Sequence, residues 1–442
     1  MAIYSSAVRK EKIQSIVQND TPVKTGEKVF GGVPQPVYAI PIEYLSYYPN
    51  NSRFCAEAKT FEAENNRKLD ISREDDLKLV EEFIWNLSPA ENEKTIDSLL
   101  KNTQQKPGVV TKDGVVISGN RRLRMLNEIR RHAERYQARY PDSFQALAKF
   151  EAVVINEENL SPERLIELEV NSQFGEDAKV EYDSIQKYIA AHDQHVNFGF
   201  DEARIANNYN KKPSEVKKWL EIYELMTEYL EYTGQANHFT ALKELEDPFI
   251  NLNSKLKQLK AYSSSKVKWA YEPYDIEQLK FIIFDNLFAR DAVGQEKRYR
   301  DILEYFNDET TWKSIANPAG PQVVPVDTLE SVDDYARKYP DLPVEKVVAK
   351  RRSDFAEKNK EALEKAYTDA SYKKLEIDQQ WQPIDKLNRA EEALIEATAY
   401  LRHVFSSDTP VLSTEEVTMV ARRIHEKAET LNGLVVQNVK SE

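Results

Sequence analysis

Three arginines stand at the start of one predicted helix, where a phosphate group would be their best partner. They are Arg121, Arg122 and Arg124, in the stretch VVISGNRRLRMLNEIRR at residues 115–131. The free N–H groups and partial positive charge of a helix N-terminus disfavour arginine and attract anions. Guanidinium groups bind phosphate bidentately, and a glycine such as Gly119 lets the backbone approach the anion closely. The residues of this predicted phosphate site are Ser118, Gly119, Asn120, Arg121, Arg122 and Arg124.

The residues alone leave two alternative roles open for these arginines. Most runs of charge form a solvated helix face, and four arginines further along fit that description: Arg130, Arg131, Arg135 and Arg139. The arginines could also pair with acidic groups elsewhere in the fold. Only a bound polyphosphate accounts for both the Ser-Gly-Asn turn and the position of the arginines, but the residues alone do not decide among the three roles.

The elements that must position this site are short strands and amphipathic helices. The β-branched residues at 115–117 predict a buried strand, and PGVVT with GVVIS predicts a hairpin around the turn at 112–114. VYAIPIEYL and FEAVVI predict two further strands, and REDDLKLVEEFIWNL and EKTIDSLLKN predict amphipathic helices. After residue 161 the strand signals stop and helical periodicity takes over. The predicted fold class is therefore α+β, with a small α/β N-terminal domain followed by a mainly α-helical region and a helical C-terminal domain.

Composition narrows the classes of function. The chain has 442 residues and a formal net charge of −13, so any contact with DNA must be made by a local basic patch. The single cysteine, Cys55, excludes an internal disulfide and a cysteine-rich zinc site, which fits a reducing compartment. No stretch has the apolar length of a signal peptide or a membrane span. We expect a cytoplasmic protein with no membrane partner.

A second binding element is predicted at residues 200–226, FDEARIANNYNKKPSEVKKWLEIYELM, which have the spacing of a helix-turn-helix. Ala206 supplies the small residue where the helices cross, and Asn210 tolerates the left-handed backbone that the tight turn needs. Val216 is the apolar anchor of the second helix. On the residues alone an ordinary helical hairpin with solvated lysines is slightly favoured. If the element binds DNA, the side chains that contact it are Lys211, Lys212, Ser214, Lys217 and Lys218.

Six segments are predicted along the chain. The aromatic runs at 268–312 predict a helical core, with a base-stacking surface as the less favoured alternative. The C-terminal helices carry apolar residues at helical spacing, which could serve a homodimer or pack within one subunit. The segments are a loosely ordered lead-in at 1–36, a nucleotide-binding domain at 37–160, a helical DNA-binding domain at 161–226, a helical domain at 227–316, a proline-rich linker at 317–344 and a C-terminal helical region at 345–442.

Four segments resemble, in sequence and in order, those of ParB-type chromosome and plasmid partition proteins. GNRRLR resembles the family's G-E-R-R-x-R box, and IPIEYLSYYPNNSR resembles its opening strand and Asn-Pro-Arg turn. TIDSLLKNTQQKPGVVTKDGVVISG resembles the helix, Gln-x-Pro turn and hairpin before the box. LIELEVNSQFGEDAKVEYDSIQKY resembles the Glu-Asn-x-x-Arg segment and the helix after it. The resemblance spans residues 37–226 and implies a ParB/sulfiredoxin-like domain followed by a helix-turn-helix.

The resemblance also implies a bound nucleotide, which would be CTP or another nucleoside triphosphate, with Mg²⁺. The three arginines match the positions that hold the triphosphate, and Gly119 gives the close approach. Asn51 and Arg53 match the turn near the base and sugar. Asn171 matches the asparagine beside the magnesium ion.

Three departures from the family pattern bear on catalysis. Asn120 stands where the family usually has glutamate, Val170 where a magnesium-linked glutamate is expected, and Phe174 where an arginine is usual. A valine cannot ligate a hard cation. The adjacent Glu169 would point about 100° away on a helix. We therefore expect nucleotide binding and leave hydrolysis by a CTPase-like activity open.

The leading hypothesis from the sequence is a nucleotide-regulated, ParB-like protein that binds double-stranded DNA, with occupancy controlling closure of a homodimer in plasmid or chromosome partition. The alternative is an enzyme of the same superfamily, an NTPase, phosphotransferase or nuclease, in a mobile-element or defence setting. A third possibility is a structural adaptor that has lost nucleotide binding, for which Val170 and Phe174 are the best arguments.

Overall fold

The computed structural model describes residues 4–28, 34–138, 140–156, 161–174, 184–290, 298–318, 320–405 and 413–439. The chain divides into two units, Met1–Tyr367 and Thr368–Glu442. The first unit combines a six-stranded mixed sheet with many helices, so the predicted α+β class is confirmed.

All six strands of the sheet lie in the first unit. They are Lys24–Lys28 (β1), Pro34–Pro41 (β2), Ser46–Tyr47 (β3), Gly108–Thr111 (β4), Val115–Ser118 (β5) and Lys149–Ile155 (β6). Their spatial order is β1-β2-β6-β4-β5-β3. The pairs β4–β6 and β3–β5 are parallel and the remaining neighbours are antiparallel. The hairpin that the sequence predicts is the antiparallel pair β4–β5, and this prediction is confirmed.

Helices surround the sheet and make up the rest of both units. Those before residue 200 are Ser6–Asn19 (α1), Cys55–Asn65 (α2), Glu74–Asn86 (α3), Pro89–Asn102 (α4), Asn120–Arg131 (α5), Ala133–Gln137 (α6), Pro141–Ala146 (α7), Pro162–Phe174 (α8) and Ser184–Phe198 (α9). Those that follow are Glu202–Tyr209 (α10), Pro213–Tyr232 (α11), Glu246–Lys260 (α12), Pro273–Phe288 (α13), Arg298–Tyr305 (α14), Glu309–Ala316 (α15), Val332–Lys338 (α16), Val344–Phe405 (α17) and Thr414–Val439 (α18).

The core beneath the arginine helix is apolar and closely packed. Val116 and Ile117 of β5 are fully buried, and Leu123, Leu126 and Ile129 bury the inner face of α5 against the sheet. These three positions recur at helical spacing, which is why the segment forms an amphipathic helix directly after the strand. The core therefore fixes where α5 begins.

Residues 6–28 are ordered, which corrects the prediction of a loosely ordered lead-in. Helix α1 lies against the sheet, and β1 pairs with β2. Ile13 and Ile16 are buried in the main core, and the Nε of Arg9 donates to the carbonyl of Asp113 in the hairpin turn at 2.8 Å. Only two apolar side chains of this helix reach the core, so its hydrophobic period is too weak to be seen in the sequence.

The predicted proline-rich linker packs within the first unit. Residues 321–325 are extended, as the prolines suggest, and Val332–Lys338 forms α16. Between them Val326 is fully buried. Its backbone N–H donates to Asp285 Oδ1 at 3.0 Å, and the amide of Asn359 bonds both backbone groups of Val324. Burial raises the pKa of Asp285 to about 7. Helical side chains thus satisfy the backbone of this segment and hold it in the first unit.

The aromatic runs form a helical core, as predicted. Phe284, Phe288, Phe306 and Trp312 are almost fully buried, with edge or tilted ring contacts among their neighbours. Such contacts add to the free energy gained by burying aromatic area. Among the described residues, no helix is long and apolar enough to cross a membrane.

Replacing Ile13 with alanine tests whether α1 belongs to the folded core. We expect the free energy of unfolding to fall by about 2–4 kcal/mol, because a large buried side chain is replaced by a cavity. Chemical denaturation of the purified protein measures it. Val17→Ala, on the exposed side of the same helix at 38% exposure, should change stability by less than about 0.5 kcal/mol. Equal effects of the two changes would show that α1 does not contribute to the core.

Candidate functional site

A strained turn places the start of α5 directly after β5. Gly119 has φ of +105°, a conformation that side chains rarely adopt, and a Cβ there would lie 2.8 Å from the ring of Phe150. No side chain caps the helix, and no acidic residue lies in its first turn. The N–H groups of this turn therefore keep their capacity for an anion. Ser118, the last residue of β5, pairs with Val109.

Asn120 fixes this turn to the neighbouring loop. Its Oδ1 accepts from the backbone N–H of Tyr48 at 3.0 Å, and its Nδ2 donates to the carbonyl of Val116 at 2.6 Å. The side chain is 2% exposed. A glutamate could not donate the second of these bonds, so the amide explains the departure from the family pattern at this position.

Arg121 points into a cleft. Its Nε donates to Asn92 Oδ1 at 3.0 Å, and Asn92, fully buried on α4, donates in turn to the carbonyl of Trp85. This chain of bonds fixes the direction of the guanidinium. Sequence reasoning did not find Asn92, because a single asparagine in an amphipathic helix carries no distinguishing signal.

Arg122 and Arg53 lie close enough to repel each other. Burial and, to a smaller extent, the like charge of Arg53 lower the pKa of Arg122 to about 10, while Glu151 opposes the effect. Arg122 also donates to the carbonyl of Lys106. Two neighbouring guanidinium groups are disfavoured unless an anion is bound between them.

Arg124 does not join this group. It lies buried between α3 and α5, where it pairs with Glu128 at 2.7 Å, donates to the carbonyl of Glu81 and stacks over Trp85. Its prediction as a triphosphate ligand is corrected by this position. Four residues beyond Asn120, Arg124 faces α3, and its guanidinium holds the two helices together.

The loop after β3 brings Asn51 and Arg53 to the same cleft. Asn51 is 1% exposed and caps the short 3₁₀ turn Ser52–Phe54 by accepting from the Arg53 N–H at 2.9 Å. Its Nδ2 has no hydrogen-bond partner among the described residues. A buried amide of this kind is costly unless a ligand completes its bonding.

Glu169 is a site residue that sequence reasoning dismissed. Its carboxylate is fully buried and accepts from both the N–H and the hydroxyl of Ser52, at 3.0 and 2.9 Å. Burial raises its pKa to about 7, against the opposing effects of Ser52 and Arg53. Val170 is buried and Asn171 is exposed. It is therefore Glu169 that turns toward the loop; the side chain of Phe174 and residues 175–183 lie outside what the structure describes.

The cleft has a volume of about 490 Å³ and combines polar and apolar walls. Of the predicted residues it brings together Asn51, Arg53, Asn120 and Arg121, whereas Ser118, Gly119, Arg122 and Asn171 do not line it. Its apolar wall comes from α2, α3 and the short turn at 239–242. The apolar and aromatic lining residues are Phe61, Leu79, Phe83, Ile84, Leu87, Ile185 and Phe239. A site of this size and character suits a ligand with both an anionic and a planar apolar part.

Helices α10 and α11 form a pair joined by a short turn. Asn210 has φ of 51° and ψ of 48°, the left-handed conformation that the sequence predicted. Ala206 and Val216 are buried, and Tyr209 packs edge-on against Trp219 at a centroid distance of 5.3 Å. Asp201 caps α10 through the Arg204 N–H. The pair is thus a rigid unit. Its outer face is the exposed surface formed by the turn and the first residues of α11.

The predicted DNA-contact side chains all lie on that outer face. Lys211, Lys212, Ser214, Lys217 and Lys218 are exposed. Glu215 accepts from the Lys212 backbone N–H at 3.1 Å and lies 4.0 Å from Lys211. Glu221 is paired with Lys257 of α12 at 2.8 Å, so its charge is partly neutralised. The face is positive although the whole protein is acidic.

Metal and thiol chemistry find little support in the described part of the chain. Within it, no group of three or more His, Cys, Asp or Glu side chains could hold a metal ion. Cys55 is a free thiol whose Sγ lies 3.0 Å from Gln186 Oε1. Burial raises its pKa well above the ordinary value, with a further rise from nearby carboxylates. The thiol is therefore a poor nucleophile.

Comparison with known proteins gives a structural likeness. No family model matches the chain, and no curated protein matches it. The chain is similar to the C-terminally truncated chromosome-partitioning protein ParB from Caulobacter crescentus complexed with CTP-γ-S, at 13% identity and a TM-score of 0.18 over 49% of this chain and 92% of that one. It is also similar to the same protein complexed to the centromeric parS site, at 15% identity and a TM-score of 0.24 over 51% and 93%.

The raised pKa of Glu169 predicts a pH-dependent stability. The folded state holds the proton more tightly than the unfolded state, so this stabilisation is complete below about pH 4.5 and is lost as the pH rises through about 7. In the Glu169→Gln variant, the free energy of unfolding should change by roughly 2–3 kcal/mol less than in the wild type across this pH range. Denaturation curves across the pH range measure it.

Glu163→Gln is the matched control, because Glu163 lies at the solvent-exposed start of the same helix and its pKa is lowered. Glu163→Gln should change the free energy of unfolding only at more acidic pH, and the pH dependence of stability in the neutral range should stay the same. A variant at Glu169 with the wild-type pH profile would show that this carboxyl is ionised in the folded protein at neutral pH.

Proposed function

We propose that this protein is a nucleotide-regulated DNA-binding protein of the ParB type. The observation that carries the proposal is the cleft, where the arginine box and the loop that resembles the Asn-Pro-Arg turn come together. These segments are far apart in sequence, and the family resemblance assigns them to one ligand. The packing of α5 against the sheet and the Asn120 amide place them side by side.

The ligand is a nucleoside triphosphate, and CTP is the one that the resemblance favours. Arg121, Arg122 and Arg53 supply positive charge around the uncapped start of α5, which suits the phosphates. The apolar wall with Phe61 and Phe83 suits the base, and the buried Asn51 amide offers it a hydrogen bond. Magnesium remains a prediction from the resemblance, with Asn171 as its residue.

Double-stranded DNA is the second partner in this proposal. The outer face of α10 and α11 carries exposed lysines around the turn, in the place where the family has its helix-turn-helix. Lysine contacts with phosphates provide affinity and orientation, whereas sequence is read by other groups. The face therefore accounts for phosphate binding and leaves the operator sequence open.

A homodimer completes the proposal. In the second unit, α18 exposes Val420, Ile424, Leu431 and Val435, which recur at helical spacing along one side. An apolar stripe of this kind on an exposed helix is typical of a helix that packs against a partner helix. A second copy of the chain would cover it, and nucleotide occupancy would control closure of the two copies around the duplex.

The nucleotide assignment predicts a graded loss of binding. Arg121→Ala or Arg122→Ala should weaken triphosphate binding by about 1.5–3 kcal/mol, since each removes a charge-assisted hydrogen bond to phosphate. Arg135→Ala should change little, because Arg135 is exposed and lies beside Tyr136. Calorimetric titration with each of the four nucleoside triphosphates measures affinity and base preference together. If the three variants lose affinity alike, the pocket is assigned to the wrong residues.

The DNA assignment predicts a steep dependence on salt. Replacing Lys217 and Lys218 with alanine should flatten the slope of log affinity against log salt by roughly two units, because two phosphate contacts no longer release counterions. Fluorescence anisotropy with a duplex library across a salt series measures it. Lys338→Ala with Lys313→Ala is a control of equal charge, since both lysines are exposed and paired with glutamates.

Nucleotide binding should be intact in the Lys217/Lys218 variant, because the lysines and the cleft belong to separate elements. Absence of duplex binding at low salt, with or without nucleotide, would refute the DNA assignment and favour the enzyme hypothesis.

A further inference from the structure

A basic and aromatic stretch runs from α12 through the connection to α13, and none of its residues lines the cleft. Residues 248–271 contain five lysines and no acidic residue, in a protein whose net charge is −13. Four of these lysines are exposed. Lys257 is paired with Glu221, whereas Lys260, Lys266 and Lys268 have no ion-pair partner within the described part of the chain. Such a concentration of unneutralised charge calls for a polyanionic ligand.

Like charges are held close together in this segment. Lys255 is half-buried beside the ring of Phe306, and its Nζ donates to Asn307 Oδ1 at 2.6 Å. Burial and, to a smaller extent, the charge of Lys266 lower its pKa to about 8, against the opposing effect of Glu304. An anion bound between Lys255 and Lys266 would relieve this repulsion.

The same stretch carries an exposed aromatic pair, Tyr262 and Tyr271, with Lys260, Lys266 and Lys268 close to Tyr262 in sequence. Tyr262 is 66% exposed, and its ring stacks on Tyr271 with centroids 5.4 Å apart and planes 14° from parallel. Tyr271 is anchored by its hydroxyl, which donates to the carbonyl of Leu259 at 2.9 Å. Trp269 packs edge-on against Tyr271 and donates its Nε1–H to the carbonyl of Phe306. The outer face of Tyr262 is thus rigidly held and open to solvent.

The backbone of Tyr262 ends α12. Its φ of 49° is the left-handed conformation that commonly follows a helix. The Tyr262 N–H donates to the carbonyl of Leu259 and the Ser263 N–H to that of Gln258, both at 3.0 Å. Stacking on Tyr271 holds the ring outward, where it contributes little to the core.

We propose that Tyr262, with Lys260, Lys266 and Lys268, forms a second nucleic-acid-binding surface that takes a single strand. An unpaired base would stack on the free face of Tyr262, and the lysines would contact the flanking phosphates. Stacked aromatic rings beside lysines are the combination that sequence-tolerant binding of single strands uses. An acidic protein would match the lysines but would leave the exposed ring without a partner. None of these residues lines the cleft, and none is among the side chains of the proposed duplex site.

The test is fluorescence anisotropy of the full chain with a labelled single-stranded oligonucleotide and with the duplex of the same sequence. Tyr262→Ala should weaken binding of the strand by about fivefold to a hundredfold, the effect of losing one stacked base. Tyr262→Phe should restore it, because phenylalanine keeps the stacking face. Tyr274→Ala is the matched control, since Tyr274 is 72% exposed nearby on α13. Thermal unfolding of each variant verifies that it is folded.

The lysines are tested separately. Changing all three to alanine should reduce the salt slope for the strand by about two units. A control of equal charge changes Lys78, Lys313 and Lys338, which are exposed and paired with glutamates. Strand binding should persist when Lys217 and Lys218 are alanine, which separates this surface from the proposed duplex site.

Three outcomes would overturn the proposal: a Tyr262→Ala variant that binds the strand as well as Tyr274→Ala does, a triple lysine variant with the wild-type salt slope, or a surface that binds only the duplex.

Discussion

The side-chain amide of Asn120 is the interaction on which the geometry of the cleft depends. It donates to β5 and accepts from the loop after β3, so one group fixes the start of the arginine helix against the Asn51 loop. The strained Gly119 turn sets the helix direction, and contact with Phe150 leaves no space for a side chain there. The arginines therefore project from a start point that is fixed on both sides. Mobile arginines on a loop would lose more side-chain entropy when they bind phosphate.

The same rigidity extends to the helical region through two buried contacts. Glu169 of α8 accepts two hydrogen bonds from Ser52, in the loop that carries Asn51 and Arg53. The hydroxyl of Thr60 on α2 accepts from the backbone of Thr240, next to Phe239 in the cleft wall. Elements of the sheet domain, before residue 161, and elements of the helical region, after it, thus build one cleft. A ligand there would contact the sheet domain and the helical region together, so the nucleotide that we propose would be in a position to influence both.

The sequence predicts the local elements well and their long-range partners poorly. The β4–β5 hairpin, the start of α5 and the left-handed Asn210 follow from turn residues and hydrophobic period, which act over a few positions. Asn92 and Glu169 could not be found this way, because their roles depend on partners distant in the chain. Arg124 shows the converse error. A box of three arginines looks uniform in sequence, yet helical geometry turns one of them into the core.

The distribution of charge explains how an acidic protein can present several local groups of unneutralised basic residues. Exposed lysines such as Lys78 and Lys313 have their charge neutralised by glutamates within about one helical turn. At the cleft and at the α12–α13 connection the basic groups repel each other instead, as Arg53 acts on Arg122 and Lys266 on Lys255. Within a few ångströms of such a group the local field outweighs the distant negative charge, because salt screens interactions beyond about 10 Å. Net charge therefore limits non-specific adhesion without weakening these sites, and it favours ligands that fit the local arrangement of charges.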